Sequence, residues 1–242
     1  MRIAVVSDIH GNLPALEAVV ADLRQTSPDL ILHGGDLAHG GADPAEVVDR
    51  IREWGWPGVL GNADEMLFAP ESLAEFAAGS SSKFQPLFAA IEEMAAWTRQ
   101  ALGNERVAWL GSLPRIQIHP PIALVHASPE SLWRSPAPEA SDAELEQVYK
   151  LLGQPIAVYG HIHRPFVRGV AGIAVVNTGS VSLSYDGDPR AAYLLVDDGR
   201  ATIRRVGYDT GVEVRRLSEC GIPRADWLAR WLASASFQMP TG

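Results

Sequence analysis

Short β-branched runs that stop at Asp, Asn or His, with helical patterns between them, constrain this chain more than any other feature. Arg2–Val6 leads straight into Ser7-Asp8-Ile9-His10-Gly11, residues 30–32 lead to Gly34-Gly35-Asp36, and residues 57–60 lead into Gly61-Asn62-Ala63-Asp64. Between the first two runs, Asn12 and Pro14 open a helical pattern with Leu16, Val19, Val20 and Leu23 on one face. Pro44 opens another that carries Val47, Val48 and Ile51. Strand, helix, strand, helix, strand with short connections predicts a parallel sheet in an α/β fold.

The same punctuation returns later. Ile122–Val125 stops at His126, and Ile156–Tyr159 stops at Gly160-His161-Ile162-His163. Residues 65–112 break the rhythm. They are rich in Ala, Glu, Met and Trp, and predict two or three helices around a polar hinge, Gly79-Ser80-Ser81-Ser82-Lys83. This insertion directly follows the Asn62 motif, so it is expected to arch over one side of any site there, either covering the sheet edge or shaping a substrate pocket.

Beyond Pro114, strands are expected at residues 115–119 and at Ile122–Val125, flanking Pro120-Pro121. Ser141 and Glu144 form a capping box for a helix through Leu152. From 166 to 216 the pattern predicts an antiparallel run with strands at 167–170, 173–176, 192–196, 201–206 and 212–216. Pro223 opens a final amphipathic helix bearing Trp227, Leu228, Trp231 and Leu232. No repeat or linker interrupts the chain, so one domain over residues 1–242 is the expectation.

Length and charge narrow the function. At 242 residues the chain can bury one large core, and 47% hydrophobic with 20% charged residues is ordinary for a globular protein. A net charge of -9 without a Lys/Arg block disfavours a nucleic-acid partner, which needs clustered cations. A phosphate substrate stays allowed, because bound metal ions can reverse the local field. The single cysteine, Cys220, fits a reducing cytoplasm. The apolar start is cut off by Asp8 and His10 too early for a signal peptide, and no stretch is long enough to cross a bilayer.

Asp, Asn and His ligate divalent metals through oxygen and nitrogen. Taken singly, an Asp after a strand is a turn former or helix cap, and a His is surface or core. Taken together, Asp8, His10, Asp36, Asn62, His126, His161 and His163 are seven candidate ligands, all at strand ends, where open α/β sheets build their sites. The three other histidines provide a contrast. His33 lies inside an apolar strand and reads as a packed or supporting imidazole. His39, in a Gly-rich loop beyond Asp36, is a turn residue or a substrate contact. His119, before Pro120, reads as exposed.

These motifs resemble the calcineurin-like metallophosphoesterase superfamily, and most closely its small bacterial phosphodiesterases. The likeness rests on Asp8-Ile9-His10, Gly35-Asp36, Gly61-Asn62, His126 and Gly160-His161-Ile162-His163 in family order, with Asn177-Thr178-Gly179-Ser180-Val181 beyond them. It implies a four-layer αββα sandwich, with the helical insertion following the third strand. It also implies two metal ions, one on Asp8, His10, Asp36 and His163, the other on Asp36, Asn62, His126 and His161, with Asp36 bridging. Asn62 and His126 would also face the substrate. Such mixed O/N ligands without thiolate suit Mn, Fe, Zn, Co or Ni, with Mn favoured. A water bridging two such ions becomes hydroxide near neutral pH and can attack phosphorus.

One departure stands out. Where many members carry a His that is thought to protonate the leaving group, this chain has Ala63. General acid catalysis is worth about 10²–10⁴-fold, so the gap matters. Asp64 and His39 are the nearest substitutes in sequence, and a substrate with a stable leaving group would need none. Asn12, Arg164 and Arg190 are further candidates for substrate contact, with a helix cap and surface ion pairs as the plain alternatives. The leading expectation is a dinuclear phosphodiesterase or phosphatase acting on a small phosphorylated compound, such as a nucleotide, with an oligomer compatible with the composition. The competing reading is a non-catalytic binding module on the same fold. Trp54, Trp56, Trp97, Trp109, Trp133, Trp227 and Trp231 could give that module an apolar face, although Trp at helical spacing is more often core.

Overall fold

The computed structural model describes residues 1–240. Among these, nine strands form two sheets. The first sheet contains β1 (Arg2–Val6), β2 (Leu30–His33), β8 (Ala191–Asp197) and β9 (Arg200–Val206), in the order β2-β1-β8-β9. The second contains β3 (Ile116–His119), β4 (Ile122–Val125), β5 (Ile156–Tyr159), β6 (Phe166–Val170) and β7 (Ile173–Asn177), in the order β3-β4-β5-β7-β6. β1 and β2 run parallel through α1 (Leu13–Thr26), and β4, β5 and β7 run parallel through α6 (Asp142–Tyr149) and the β6 hairpin.

Side-chain alternation explains why the two sheets face each other. In β1, Ile3 and Val5 point into an aliphatic layer with Ile122, Leu124, Ile156, Val158, Val176, Leu194 and Val196 from both sheets. Ala4 and Val6 point the other way, beneath Leu16 and Val19 of α1 and Val47, Val48 and Ile51 of α2 (Pro44–Trp54). On the far side, Ala157, Tyr159 and Val175 pack under Leu145 and Tyr149 of α6. The layers are therefore helix, sheet, sheet, helix. Strands buried on both faces read as continuous apolar runs, which is what β1, β4 and β5 show.

The insertion consists of α3 (Asn62–Glu65), α4 (Glu71–Ala78) and the long α5 (Gln85–Gly111), which breaks at Gly103 (φ 69°). The polar hinge falls between α4 and α5, as its composition predicts. α7 (Thr210–Cys220) and α8 (Ala225–Ser234) close the chain. No helix among the described residues is long and apolar enough to cross a membrane.

Three details differ from the sequence reading. Residues 57–60 make no ladder strand. They touch β2 through a single bridge at Gly58, and the Leu60 amide then turns away to donate to the Pro114 carbonyl. Residues 212–216 lie inside α7, because the Asp209 side chain accepts from the Gly211 amide and caps a helix whose buried pair is Glu213 and Leu217, four apart. The expected antiparallel run is also split. β6 and β7 form a hairpin in one sheet, whereas β8 and β9 complete the other.

Candidate metal centre

The candidate ligands converge in the loops beyond β1, β2, β4 and β5, with Asn62 brought in from the start of α3. Five of them occupy the left-handed backbone region: Asp8 (φ 57°), His10 (50°), Asp36 (54°), His161 (67°) and His163 (52°). For non-glycine residues this conformation costs about 1–3 kcal/mol each, and it persists only where surroundings over-determine it. Here the surroundings are neighbouring loops. The Asp8, His10 and Gly11 amides donate to the Gly35, Asp36 and Leu37 carbonyls, zipping the first motif to the second. The Asn177–Ser180 stretch braces the last motif. Asn177 Nδ2 donates to the Gly160 carbonyl at 2.5 Å, and Ser180 Oγ donates to the Asp8 carbonyl at 2.8 Å.

Two glycines are required by close approach. A Cβ on Gly61 would lie 2.0 Å from Asp36 Oδ1, and one on Gly160 would lie 2.3 Å from Asp8 Oδ2. The Gly-Asn and Gly-His pairs thus let the ligand loops touch.

Second nitrogens fix the imidazoles. His10 Nδ1 donates to the His39 carbonyl (2.6 Å), His126 Nδ1 to the Gly34 carbonyl (2.8 Å), and His163 Nδ1 to the Leu183 carbonyl. Each therefore points Nε2 inward. His10 Nε2 and His163 Nε2 are 3.2 Å apart, and His163 Nε2 is 3.1 Å from Asp8 Oδ1. On the other side, His126 Nε2 lies 2.8 Å and His161 Nδ1 2.9 Å from Asn62 Oδ1. Asp36 spans both groups: Oδ1 accepts from the Ala63 amide, while Oδ2 lies 3.5 Å from His126 and 3.8 Å from His10. Asp8 also pairs with Asp36 and His126 in one overlapping group.

Electron-rich atoms pointed at one another repel unless a cation or proton sits among them. The electrostatics of the cluster show that demand. Burial works against a charged imidazole at His126, yet the Asp36 carboxylate and then Asp8 outweigh it and lift the group to about 9. Burial likewise opposes ionisation of Asp36, but His126 and His10 hold its carboxyl well below the usual range. His161 is pushed down to about 4 by burial and by His126. A compact positive charge is what this arrangement draws in, so the residues fit a divalent metal. Carbonyl-anchored imidazoles are also how metal-binding histidines are oriented.

A match to the calcineurin-like phosphoesterase superfamily domain over residues 1–199 decides the family. The chain belongs to the calcineurin-like phosphoesterase superfamily. It is 31% identical to an uncharacterised protein of Methanocaldococcus jannaschii, over 95% of this chain and 96% of that protein. It is 27% identical to phosphodiesterase YfcE of Escherichia coli K12, covering 82% and 88%. The crystal structure of a metallophosphoesterase from Sphaerobacter thermophilus superposes with a TM-score of 0.77 at 29% identity, covering 97% of this chain and all of that one. The four-layer mixed fold is the one such neighbours share. The protein is accordingly a metal-dependent phosphoesterase, a hydrolase of ester bonds.

The phosphoesterase places its remaining candidates as follows. Ala63 lines the cavity beside Asp36, His161 and His163. Asp64 is fully buried, does not line that cavity, and accepts from the Leu37 amide at 3.0 Å, while burial and then Asp36 push it up to about 7. His39 lines the cavity, but Nε2 donates to the Ile91 carbonyl at 3.2 Å, and burial lowers it to about 4. Asn12 caps α1, accepting from the Ala15 amide and donating to Ser182 and Tyr208. Arg164 pairs with Glu139 and Arg190 with Asp188, both on the surface and outside the cavity. His33 packs near Trp109 with neither ring nitrogen hydrogen-bonded, and His119 meets Gln117 away from the site.

Two features escaped residue-by-residue reading. Tyr185 stacks on His163 (4.8 Å, 20°), and Trp231 of α8 stacks on Tyr185 (5.0 Å, 11°), so an aromatic column backs a ligand. Helical spacing marks Trp227 and Trp231 as core, but nothing in the spacing says that this core borders the centre.

Proposed function

We propose that this phosphoesterase holds two divalent transition-metal ions and hydrolyses a small phosphodiester, with a phosphomonoester or nucleotide as related substrates. The supporting observation is the convergence of inward-facing nitrogen and oxygen lone pairs, with Asp36 reaching both clusters. Asp8, His10, Asp36 and His163 would hold one ion, and Asp36, Asn62, His126 and His161 the other, with Mn²⁺ favoured. When bound, such ions polarise phosphate oxygens and make coordinated water acidic enough to act near neutral pH.

The chain's own contribution is orientation. Backbone carbonyls lock three imidazoles in one tautomer, and the zipped loops hold both carboxylates fixed. A buried, preorganised site of this kind spends little on reorganisation as charge builds on phosphorus. Asn62 and His161 line the cavity and face the incoming ester, with His126 behind Asn62. The leaving group is served less well. Ala63 has no proton to give, Asp64 is turned toward Leu37, and the Nε2 proton of His39 is committed to Ile91. We therefore infer that esters with low-pKa leaving groups turn over fastest. A single half-buried thiol, Cys220, is compatible with work in a reducing cytoplasm.

The test is hydrolysis of bis-p-nitrophenyl phosphate by purified protein with added Mn²⁺. Turnover that disappears in Asp36→Asn supports the reading. Absence of turnover with Mn, Fe, Zn, Co and Ni alike contradicts it.

A further inference from the structure

Beside the ligand cluster lies a cavity of about 170 Å³ with one mostly apolar wall. Met66, Leu87, Ile91 and Met94 come from the insertion and its edge, and Trp231 and Phe237 come from α8 and the segment after it. His10, Asp36, Asn62, His161 and His163 form the opposite wall, so the apolar space opens directly onto the centre. Among the described residues no Lys or Arg lines it. Of the three lining tryptophans, Trp133 Nε1 donates to Glu65 and Trp227 Nε1 to the Gln238 carbonyl, while Trp231 Nε1 is buried without a partner.

Chemistry narrows the occupant. A phosphate group placed on the metal ligands would find no side-chain cation to meet a second or third negative charge. Apart from the ligands, the polar groups in the lining are few for a sugar or the hydrogen-bonding edge of a base: the Tyr185 hydroxyl, the His39 ring with Nε2 committed to Ile91, and the buried, unpartnered Trp231 Nε1. An aromatic ring suits it. An enclosed apolar cavity of roughly 150 Å³ holds benzene, and with part of its about 170 Å³ fronting the ligands this space takes one ring at most. Tyr185 and Trp231 already present Phe237 with edge-to-face neighbours, at 6.0 Å and 89° and at 5.7 Å and 87°. Phe237 is 41% exposed at the mouth, where an apolar guest would cover it.

We propose that this cavity takes an uncharged aryl group, carried on one ester oxygen of a singly charged phosphodiester, while the phosphate sits on the metal ligands. The inference rests on the phosphodiesterase reading above and adds the substrate's organic group. Leu87, Ile91 and Phe237 are then specificity-determining residues, and the insertion is part of the substrate site.

The experiment compares p-nitrophenyl phenyl phosphate with p-nitrophenyl methyl phosphate, which share a charge and a leaving group and differ only in the retained ester. Small apolar groups in fitted pockets discriminate by roughly ten- to two-hundredfold. The Mn²⁺-loaded protein should favour the phenyl ester in kcat/KM by about tenfold or more. That ratio should fall toward one in Leu87→Ser and in Phe237→Ala. Equal rates for the two esters, or a ratio that neither variant moves, overturn the proposal.

A second arm needs no turnover. The monomethyl ester of phenylphosphonate should change the fluorescence of Trp133, Trp227 and Trp231 on binding, and dimethyl phosphate at the same concentration should not. Hydrolysis of neither ester would count against the phosphodiesterase reading, and the fluorescence arm would then decide this one. An equal response to both probes, or none, overturns it.

Discussion

The ligand loops and the cavity wall meet across one small space, and they are built on different principles. On the loop side almost every position is fixed. Five ligand residues have left-handed backbone, three imidazoles are tied to named carbonyls, and two glycines admit no Cβ. On the wall side, Leu87, Ile91, Met94, Trp231 and Phe237 need only be apolar and about the right size. Cores tolerate hydrophobic exchange far better than hydrogen-bonded clusters tolerate the loss of a partner. In the function proposed above, reaction type resides in the loops and choice of substrate in the helices.

The sharpest way to break this contrast is to strike the loop side at its centre. Asp36→Asn leaves the shape nearly intact but removes a charge that both ligand groups share, and metal contributions to catalysis are worth several kcal/mol. We expect hydrolysis of bis-p-nitrophenyl phosphate to fall by about 10³-fold or more. A residual rate within tenfold of the parent would mean that Asp36 is not shared.

The join between the two sides carries the next effect. Glu213 of α7 is buried; one carboxylate oxygen accepts from the Ala42 amide at 2.9 Å, and the other has no partner. Burial raises this group from 4.5 to about 7 in the folded protein. The folded state thus holds the proton more tightly than the unfolded chain. The contribution of Glu213 to stability is complete below pH 4.5, falls as pH rises toward 7, and stays lost above it. The difference corresponds to about 3 kcal/mol. Urea unfolding of Glu213→Gln should show this loss between pH 5 and 8 largely removed, and an identical pH profile in parent and variant would argue against it.

Gly61→Ala probes loop precision without touching a ligand. Its methyl group would force Asp36 to move, and displaced supports of metal ligands typically cost about 10–100-fold in metal affinity or activity. Equilibrium dialysis with Mn²⁺ reads the loss directly. Unchanged affinity would show the loops to be more compliant than their geometry suggests.

Smallest is Asn12→Ala. If Asn12 serves only as the cap seen in the fold, the variant should lose about 1–2 kcal/mol of stability and keep its KM. A changed KM with unchanged stability would restore Asn12 to the substrate side.

The same contrast explains what the sequence disclosed. Asp8-x-His10 and His161-x-His163 are legible because alternate residues with ligand chemistry at strand ends have few other uses. Likewise β1, β4 and β5 are legible as unbroken apolar runs. The left-handed turns were not, since Asp and His adopt them only under tertiary pressure from the zipped loops. Residues 212–216 alternate like a strand, and only the Asp209 cap and the Glu213/Leu217 pair reveal a helix. Residues 57–60 look like a strand, but the Leu60 amide finds Pro114 instead of β2. The wall is the least legible part, because apolar residues on α5 and α8 look the same in sequence whether they face a core or a substrate.

Asp8, His10, Asp36, Asn62, His126, His161 and His163 are proposed to form one two-metal centre joined through Asp36. Mn²⁺ bound per chain, measured by equilibrium dialysis followed by elemental analysis, tests it most directly. Two tightly bound ions are expected in the parent protein, with loss of both from Asp36→Asn. A single ion in the parent, or a variant that still binds two, would contradict it.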